Sequence, residues 1–587
     1  MGESTKSEPA VVAGRLSGVP LFCALDAPSL AALEAELERL AVPGGATLFR
    51  EGDDADALYV VLAGCLGVAI RGSKGNEALI ARVHAGETIG EMALLDGGLR
   101  SATAIALRDT ELLRLGKAEF ERLAGQHPRS MLALVSLLAR RLRDTTHGAG
   151  DAAPIRTVAL IPADHAADHR ALAAALADRL AGEGRRVARL DGETPAPSAE
   201  RLNAVETASD LVLYCGEAGE AGDTGWTRLC LRQADRVMLV ASAHSPFIMP
   251  AWLAGTPRDW RRPLDLVVLH DARGDAASVA QDARRQLPFD RVCHVRRGNS
   301  EDIARIARIL TGKSVGLVLS AGGARGFAHL GIVRALREAH VPIDLIGGCS
   351  MGAIVGASVA CEWDDAEIRD RLRRAFVESN PVNDYTLPFF ALAKGEKVAR
   401  RLDEHFGSIR IEDLWRPFFC VSANLTAGVL AVHRGGPLTP ALRASVAIPG
   451  LLPPVMMAGE AHVDGGTMNY LPVDVMKPMC GSVIAVDVAS DPVLTPLGEG
   501  KRRPSLWQFL RQRRKIPPIV DLLVRAATVG TEALAKASRD QADVLFRPPL
   551  EAVDLLDWRA CDRAIDTGYR HAIEQLERLD KSAVSAS

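Results

Sequence analysis

A multidomain α/β chain with an N-terminal β-roll is predicted by three observations. The length, 587 residues, exceeds one ordinary core and suggests about three or four domains. Short strand-like runs broken by Gly fill residues 46–116, the pattern of a sandwich or roll. From residue 155 onward, β-branched runs alternate with helix-like stretches, the pattern of parallel βαβ units.

In order, residues 1–14 read as a flexible tail. The first domain covers 15–145. It opens with a helix near Ser29–Leu40, whose leucines recur at helical spacing after Asp26 and Pro28. The runs ATLF, ALYVVLAG, LGVAI, ALIARV, SATAIAL and TELLRL follow as strands, and an apolar-striped helix, Arg129–Arg143, closes the domain. HGAGDAAP, 147–154, is a linker. An α/β middle domain spans 155–312, with TVALIPA, RVARL, DLVLYC, RVMLVAS and LDLVVLH as strands. ADHAADH rather than a glycine run follows its first strand, so no dinucleotide site is evident there. A third domain, 314–480, starts with strand VGLVL, and 481–587 reads as a strand, VIAVDVA, followed by a mostly helical C-terminal extension.

Composition narrows the function classes. Hydrophobic residues at 48% and charged residues at 24% exclude a disordered or collagenous chain. Lys+Arg 70 against Asp+Glu 73 leaves a formal charge of -3, and no basic excess points to nucleic acid. Ten cysteines, none spaced C-x-x-C, suit reduced, buried thiols. The longest uncharged stretch found, Leu345–Cys361, is rich in Gly and Ser and shorter than the roughly 20 apolar residues of a membrane span. MGESTKSEPA lacks a signal-peptide core, and Lys6 breaks the myristoylation pattern. A cytoplasmic protein is expected, with any membrane contact peripheral.

Three motifs between 320 and 466 carry chemistry together. Ser320–Gly331, SAGGARGFAHLG, lies between a strand and an amphipathic helix. Consecutive glycines there let backbone N–H groups converge on a phosphate or a developing oxyanion. A dinucleotide reading of this loop needs an acid ending the second strand, but Asp344 precedes the strand-like LIGG instead. Gly348-Cys349-Ser350-Met351-Gly352 is a G-x-S-x-G between strand-like IDLIG and helix-like AIVGASVA, the context of a nucleophile elbow. His462-Val463-Asp464-Gly465-Gly466 puts a carboxylate where backbone can approach closely; alone it reads equally as a turn.

With ASVAIPGLLPPV (444–455), these motifs resemble the patatin-like phospholipase family over about 314–480. The resemblance implies an α/β hydrolase domain with a Ser–Asp dyad that hydrolyses lipid acyl esters. Ser350 then matches the nucleophile and Asp464 the base. Gly322, Gly323, Ala324 and Arg325 match the oxyanion loop. Ala321 stands where many members have glycine, and Ala447 where a serine is common. A Ser-Asp-His triad is the competing arrangement; His329, His462 and His571 are the histidines it would have to use. No metal and no required cofactor are expected.

Residues 86–106, GETIGEMALLDGGLRSATAIA, resemble the phosphate-binding cassette of cyclic nucleotide-binding domains, a likeness spanning about 20–140. It implies that cyclic AMP or cyclic GMP is a candidate effector, held by Gly90, Glu91, Arg100 and Ser101. An arginine fork suits a cyclic phosphate. Leu99 replaces the proline that often precedes this arginine, and Glu91 with Arg100 could equally form an ion pair. Strands, not a helix-turn-helix, follow the closing helix, which argues against gene regulation. The three-part architecture, with WTRLCLRQADRV (226–237), resembles the neuropathy target esterase family and its bacterial relatives. That resemblance implies phospholipid or lysophospholipid substrates. Lys501–Lys515, KRRPSLWQFLRQRRK, interleaves seven basic residues with Trp507 and Phe509, a pattern that suits either an anionic membrane face or a solvated helix. Oligomeric state is open. A cyclic nucleotide sensor with a silent hydrolase domain is the alternative reading.

Overall fold

The computed structural model describes residues 37–71, 77–126, 155–192, 199–217, 225–249, 263–271, 278–386, 391–489 and 531–585, with positions 19, 22, 30 and 197. The chain forms two compact units. One comprises Met1–Val267 with Gln286–Asp290, the other Val268–Arg285 with Arg291–Ser587.

The first unit contains a roll of two four-stranded antiparallel sheets. Glu38–Val42, Thr110–Gly116, Ala57–Ala63 and Thr88–Ile89 are neighbours in one; Thr47–Phe49, Thr103–Ala106, Cys65–Arg71 and Glu77–His84 in the other. Strand periodicity divides the central strand between two cores. Leu58 and Val60 pack with Leu113 and Leu115, while Ala57, Tyr59 and Val61 pack with Leu66, Ala104 and Leu112. The helix expected to reach Leu40 does not: Glu38–Val42 is a strand, paired in antiparallel register with Thr110–Gly116. Tertiary pairing that buries Val42 overrides the helical spacing of the leucines there. The expected helix Arg129–Arg143 lies outside the described residues.

The same unit holds four parallel strands in the order Val187–Asp191, Leu211–Cys215, Thr157–Pro162, Arg236–Ser242. The near-continuous apolar runs of Leu211–Cys215, Thr157–Pro162 and Arg236–Ser242 reflect burial on both faces, whereas Val187–Asp191 is the half-exposed edge. Arg108, just past strand Thr103–Ala106, ties the roll to this sheet. Its guanidinium donates to Glu206 at 3.0 Å and to Thr157 Oγ1 at 3.4 Å. A self-contained 155–312 domain does not emerge. The division between units falls within strand Leu264–His270. Strand Arg291–Arg296 and helix Ser300–Leu310 belong to the second unit. There His294 Nε2 lies 2.8 Å from Glu412 O and Arg308 grips Asp344.

The second unit is built on an eight-stranded sheet. Its path runs Val455–Met457, Glu460–Asp464, Phe418–Asn424, Leu345–Cys349, Val315–Leu319, Ser482–Val486, Val544–Phe546, and Val429–His433 pairs beside Phe418–Asn424. The four middle strands and Val544–Phe546 run parallel; Glu460–Asp464 joins antiparallel to Phe418–Asn424. The sheet therefore runs on past the expected boundary at 480. Ser482–Val486 pairs directly with Val315–Leu319 and buries Val483, Ala485 and Val486, so the C-terminal residues complete the sheet. Helix Cys561–Ser585 returns over helix Ala328–Glu338 and adds Ile565 and Ala572 to its core.

Candidate active site

Strand Leu345–Cys349 ends at Ser350, and helix Met351–Ala360 begins immediately after it. The turn is sharp enough to hold Ser350 at φ 54, ψ −123, a left-handed conformation rare for a side-chain-bearing residue. The two glycines of G-x-S-x-G permit it by proximity. A Cβ on Gly348 would lie 2.6 Å from Gly352 O, and one on Gly352 would lie 2.3 Å from Leu319 O. The Ser350 N–H is fixed by Ser445 Oγ at 2.9 Å, so the ASVAIPG block supports the elbow through its first serine.

Asp464 ends strand Glu460–Asp464, and Ser422, on the neighbouring strand, is its register partner. Ser350 Oγ donates to Asp464 Oδ2 at 2.6 Å. The other carboxylate oxygen accepts from Gly466 N–H at 2.8 Å and faces Cys349 Sγ at 3.7 Å. Both side chains are nearly sealed, Ser350 being 5% and Asp464 6% exposed. Burial pushes the Asp464 carboxyl up to about 6, against the lowering effect of the Ser350 and Gly466 hydrogen bonds. The carboxyl is thus ionised near neutral pH yet more basic than an exposed aspartate.

Among the described residues no histidine enters this pair. His462 Nδ1 lies 2.9 Å from Ser422 Oγ, and the same hydroxyl contacts His433 Nε2 at 2.7 Å. His329 Nε2 lies 2.9 Å from Ser320 O, and burial pushes that imidazole down to about 4, so it is neutral. His571 Nε2 accepts from the Arg547 N–H. A triad has no member to recruit among these.

The glycine loop is stitched in place by distant backbone. Ala321 N–H donates to Tyr470 O at 2.9 Å, Ala324 N–H to Leu555 O at 2.8 Å, and Arg325 N–H to Gly322 O at 3.1 Å. Arg325 Nε donates to Val553 O at 2.7 Å. The expected four-residue donor set narrows accordingly: the amides of Ala324 and Arg325 are already used by main-chain acceptors. The Gly322 and Gly323 amides have no acceptor among the described residues. Gly323, at φ +54, lines the same cavity as Ser350. Leu555 and Val553 were not foreseen as supports, because the sequence separation exceeds any local signal.

That cavity is a narrow apolar slot of about 70 Å³ leading from Ser350. Ile354, Leu372, Phe376, Leu402, Leu452 and Trp558 form its walls. A π-helical turn, Arg373–Glu378, contributes Ala375 and Phe376, and Phe376 packs on Trp558 at 4.9 Å between centroids. Among the described residues no group of His, Cys, Asp and Glu has the arrangement of a metal site.

In the roll, Gly90 takes φ 88 just before the short helix Glu91–Asp96. Glu91 and Arg100 are buried, at 2% and 3% exposure, while Ser101 is exposed. Arg100 turns inward. It donates to Ala57 O at 2.7 Å and Gly90 O at 3.0 Å, pairs with Asp56 at 3.2 Å, and stacks 4.3 Å over Phe49. Its ion pair is thus with Asp56. The basic segment 501–515 lies outside the described residues. Among the described residues no helix is long and apolar enough to cross a membrane.

Residues 317–477 match the patatin-like phospholipase family and residues 39–127 the cyclic nucleotide-binding domain family. An uncharacterized NTE family protein of Mycobacterium tuberculosis is 31% identical over 96% of this chain and 96% of its own length. Lysophospholipase NTE1 of Coccidioides immitis is 28% identical over 92% of this chain, and human patatin-like phospholipase domain-containing protein 6 is 29% identical over 97%. The chain spans less than half of the latter two, 40% and 46% of their lengths.

Proposed function

Since the chain belongs to the NTE family, with a patatin-like phospholipase domain that makes it a lipid ester hydrolase and also a cyclic nucleotide-binding domain, we propose that it cleaves acyl esters of lysophospholipids or phospholipids through a Ser350–Asp464 dyad. The observation carrying this reading is the 2.6 Å hydrogen bond from Ser350 Oγ to Asp464 Oδ2. Asp464 takes the hydroxyl proton as Oγ attacks the ester carbonyl carbon. The Gly322 and Gly323 amides meet the oxyanion, aided by the positive end of helix Met351–Ala360. The leaving alkoxide collects the proton from Asp464. Water then gives Asp464 a proton and attacks the acyl-enzyme carbonyl; the bond to Ser350 Oγ breaks, Asp464 returns the proton to Oγ, and the fatty acid leaves. The apolar lining beside Ser350, with Leu402, Leu452 and Trp558, supports an acyl group rather than a polar one as the group transferred to serine.

A fluorophosphonate probe is expected to label the wild type and not Ser350→Ala, and wild type alone to release fatty acid from a lysophospholipid panel. Labelling of both proteins would put the nucleophile elsewhere and remove the dyad, and labelling of neither would leave the sensor with a silent hydrolase domain. A second expectation is pH-dependent. The base must be ionised, so kcat/KM should fall as pH drops through about 6 and stay flat above it. A profile still level at pH 4.5 would exclude Asp464 as the base.

Regulation belongs to the same proposal. A cyclic nucleotide beside Gly90, Glu91 and Ser101 would draw the Arg100 fork from Ala57 O and Gly90 O to its phosphate. Docking at a cytoplasmic membrane face through 501–515 is proposed on charge pattern alone.

A further inference from the structure

Helix Ser300–Leu310, the carboxyl end of helix Ala328–Glu338 and the segments leading into the parallel strands Leu345–Cys349 and Phe418–Asn424 surround a polar cavity of about 370 Å³. Ser350 lies at the opposite, carboxyl edge, where open α/β sheets bind their substrates. Five arginines, Arg296, Arg305, Arg308, Arg337 and Arg416, line the cavity together with His340. Helix Ser300–Leu310 presents Asp302, Arg305 and Arg308 at three-residue spacing, on one face.

The charges are not matched one to one. Arg296 and Arg305 share Asp302 at 2.6 and 3.0 Å. Glu362 serves Arg296 at 2.9 Å, Arg416 at 3.4 Å and Arg305 at 3.9 Å. Three guanidiniums therefore rest on two carboxylates. Asp344 holds Arg308 at 2.7 Å, Asp365 holds Arg337, and Glu301 stands on the exposed rim. Crowding is felt most at Arg416, which burial and the neighbouring Arg305 push down to about 10. Arg305 is 2% exposed, and its Nε has no hydrogen-bond partner among the described residues. Such a cluster is unfavourable for a cation and favourable for an anion that adds acceptors. Planar guanidinium forks match phosphate oxygens, and the volume falls within the roughly 300–1,000 Å³ of small-ligand sites.

We propose that this cavity is a second ligand site, binding a small phosphate monoester through Arg305, Arg337 and Arg416. It is separate from the dyad and from the cyclic nucleotide cassette. Helices Ala328–Glu338 and Met351–Ala360 start at the reaction centre and finish at this cavity, about 15 Å away. The ligand therefore touches no reacting group. Its phosphate can come from a soluble ester or from a lipid headgroup.

The test uses the full chain. Calorimetry with glycerol 3-phosphate reads the soluble source, and flotation with phosphatidate-containing against pure phosphatidylcholine vesicles reads the headgroup. Binding in either arm, weakened at least tenfold in Arg337→Gln/Arg416→Gln with fluorophosphonate labelling retained, is the expected result. His340→Asp keeps every ion pair, suits a left-handed position at φ 55, and adds a negative charge at the rim. It should weaken binding in the same direction and stands in if the double variant fails to fold. No binding by the wild type at millimolar probe in both arms, or variants that bind like wild type, would overturn the site.

Discussion

Asp464→Asn is expected to lower kcat by roughly 10⁴-fold while leaving the protein at least as stable as wild type. The amide is nearly isosteric and keeps an oxygen for the Gly466 N–H, 2.8 Å away. It cannot take the Ser350 proton, so attack on the ester loses its base, and fluorophosphonate labelling should slow in parallel. The stability effect has the opposite sign. Burial raises the folded carboxyl to about 6 from an ordinary 3.8. A raised carboxyl means that the unfolded chain ionises first as pH climbs. The folded state therefore carries a penalty that sets in between those two values and is fully present above about 6. Two pKa units correspond to about 3 kcal/mol. Asparagine has no charge to bury and escapes that penalty, so melting at pH 7.5 should be unchanged or higher. At pH 4 the advantage should largely vanish, because the wild-type carboxyl is then protonated when folded. An active Asp464→Asn would sink the dyad. An inactive variant that melts well below wild type at pH 7.5 would show that Asp464 is structural first.

How much of this was legible in the sequence depends on the range of the constraint. Ser350 and Asp464 announce themselves because their geometry is local. The elbow needs small residues two positions either side of the serine, and the Asp464 carboxylate is held by an N–H only two residues on. The strands of the roll were readable for the same reason, since alternation along Ala57–Ala63 serves two cores at once. Long-range constraints left no such mark. Nothing near Ala324 says that its amide is taken by Leu555 O, and nothing in VIAVDVA says that it pairs beside Val315–Leu319. Glu38–Val42 misled outright, because leucine spacing suits a helix while its register with Thr110–Gly116 demands a strand. Arg100 was recognisable as a phosphate-type residue, but its inward turn onto Ala57 O depends on the roll's closure. The arginine cavity draws on residues from 296 to 416 and has no motif at all.

Gly323→Ala should separate positioning of the oxyanion loop from binding of the acyl chain. Gly323 sits at φ +54, and a Cβ there would lie 2.3 Å from Leu555 O. That oxygen cannot retreat cheaply, because the adjacent Ala324 N–H holds it at 2.8 Å. Either the loop or the Leu555 segment must shift, and the Gly322 and Gly323 amides move with it. Losing one oxyanion donor costs about 10²–10³ in kcat. Leu402 and Leu452, on other segments of the slot wall, are untouched, so the loss should fall mainly on kcat, with a smaller change in KM for a monomeric lysophospholipid. The strain itself should cost about 1–3 kcal/mol of stability. Gly428→Ala supplies the comparison within the same unit. It has φ +70 but nothing within 4 Å of the added Cβ, so it carries backbone strain without a collision. It should melt lower yet keep wild-type kcat. A kcat for Gly323→Ala within threefold of wild type would mean that the glycine loop does not hold the developing charge, and the second donor would then have to be sought at the start of helix Met351–Ala360.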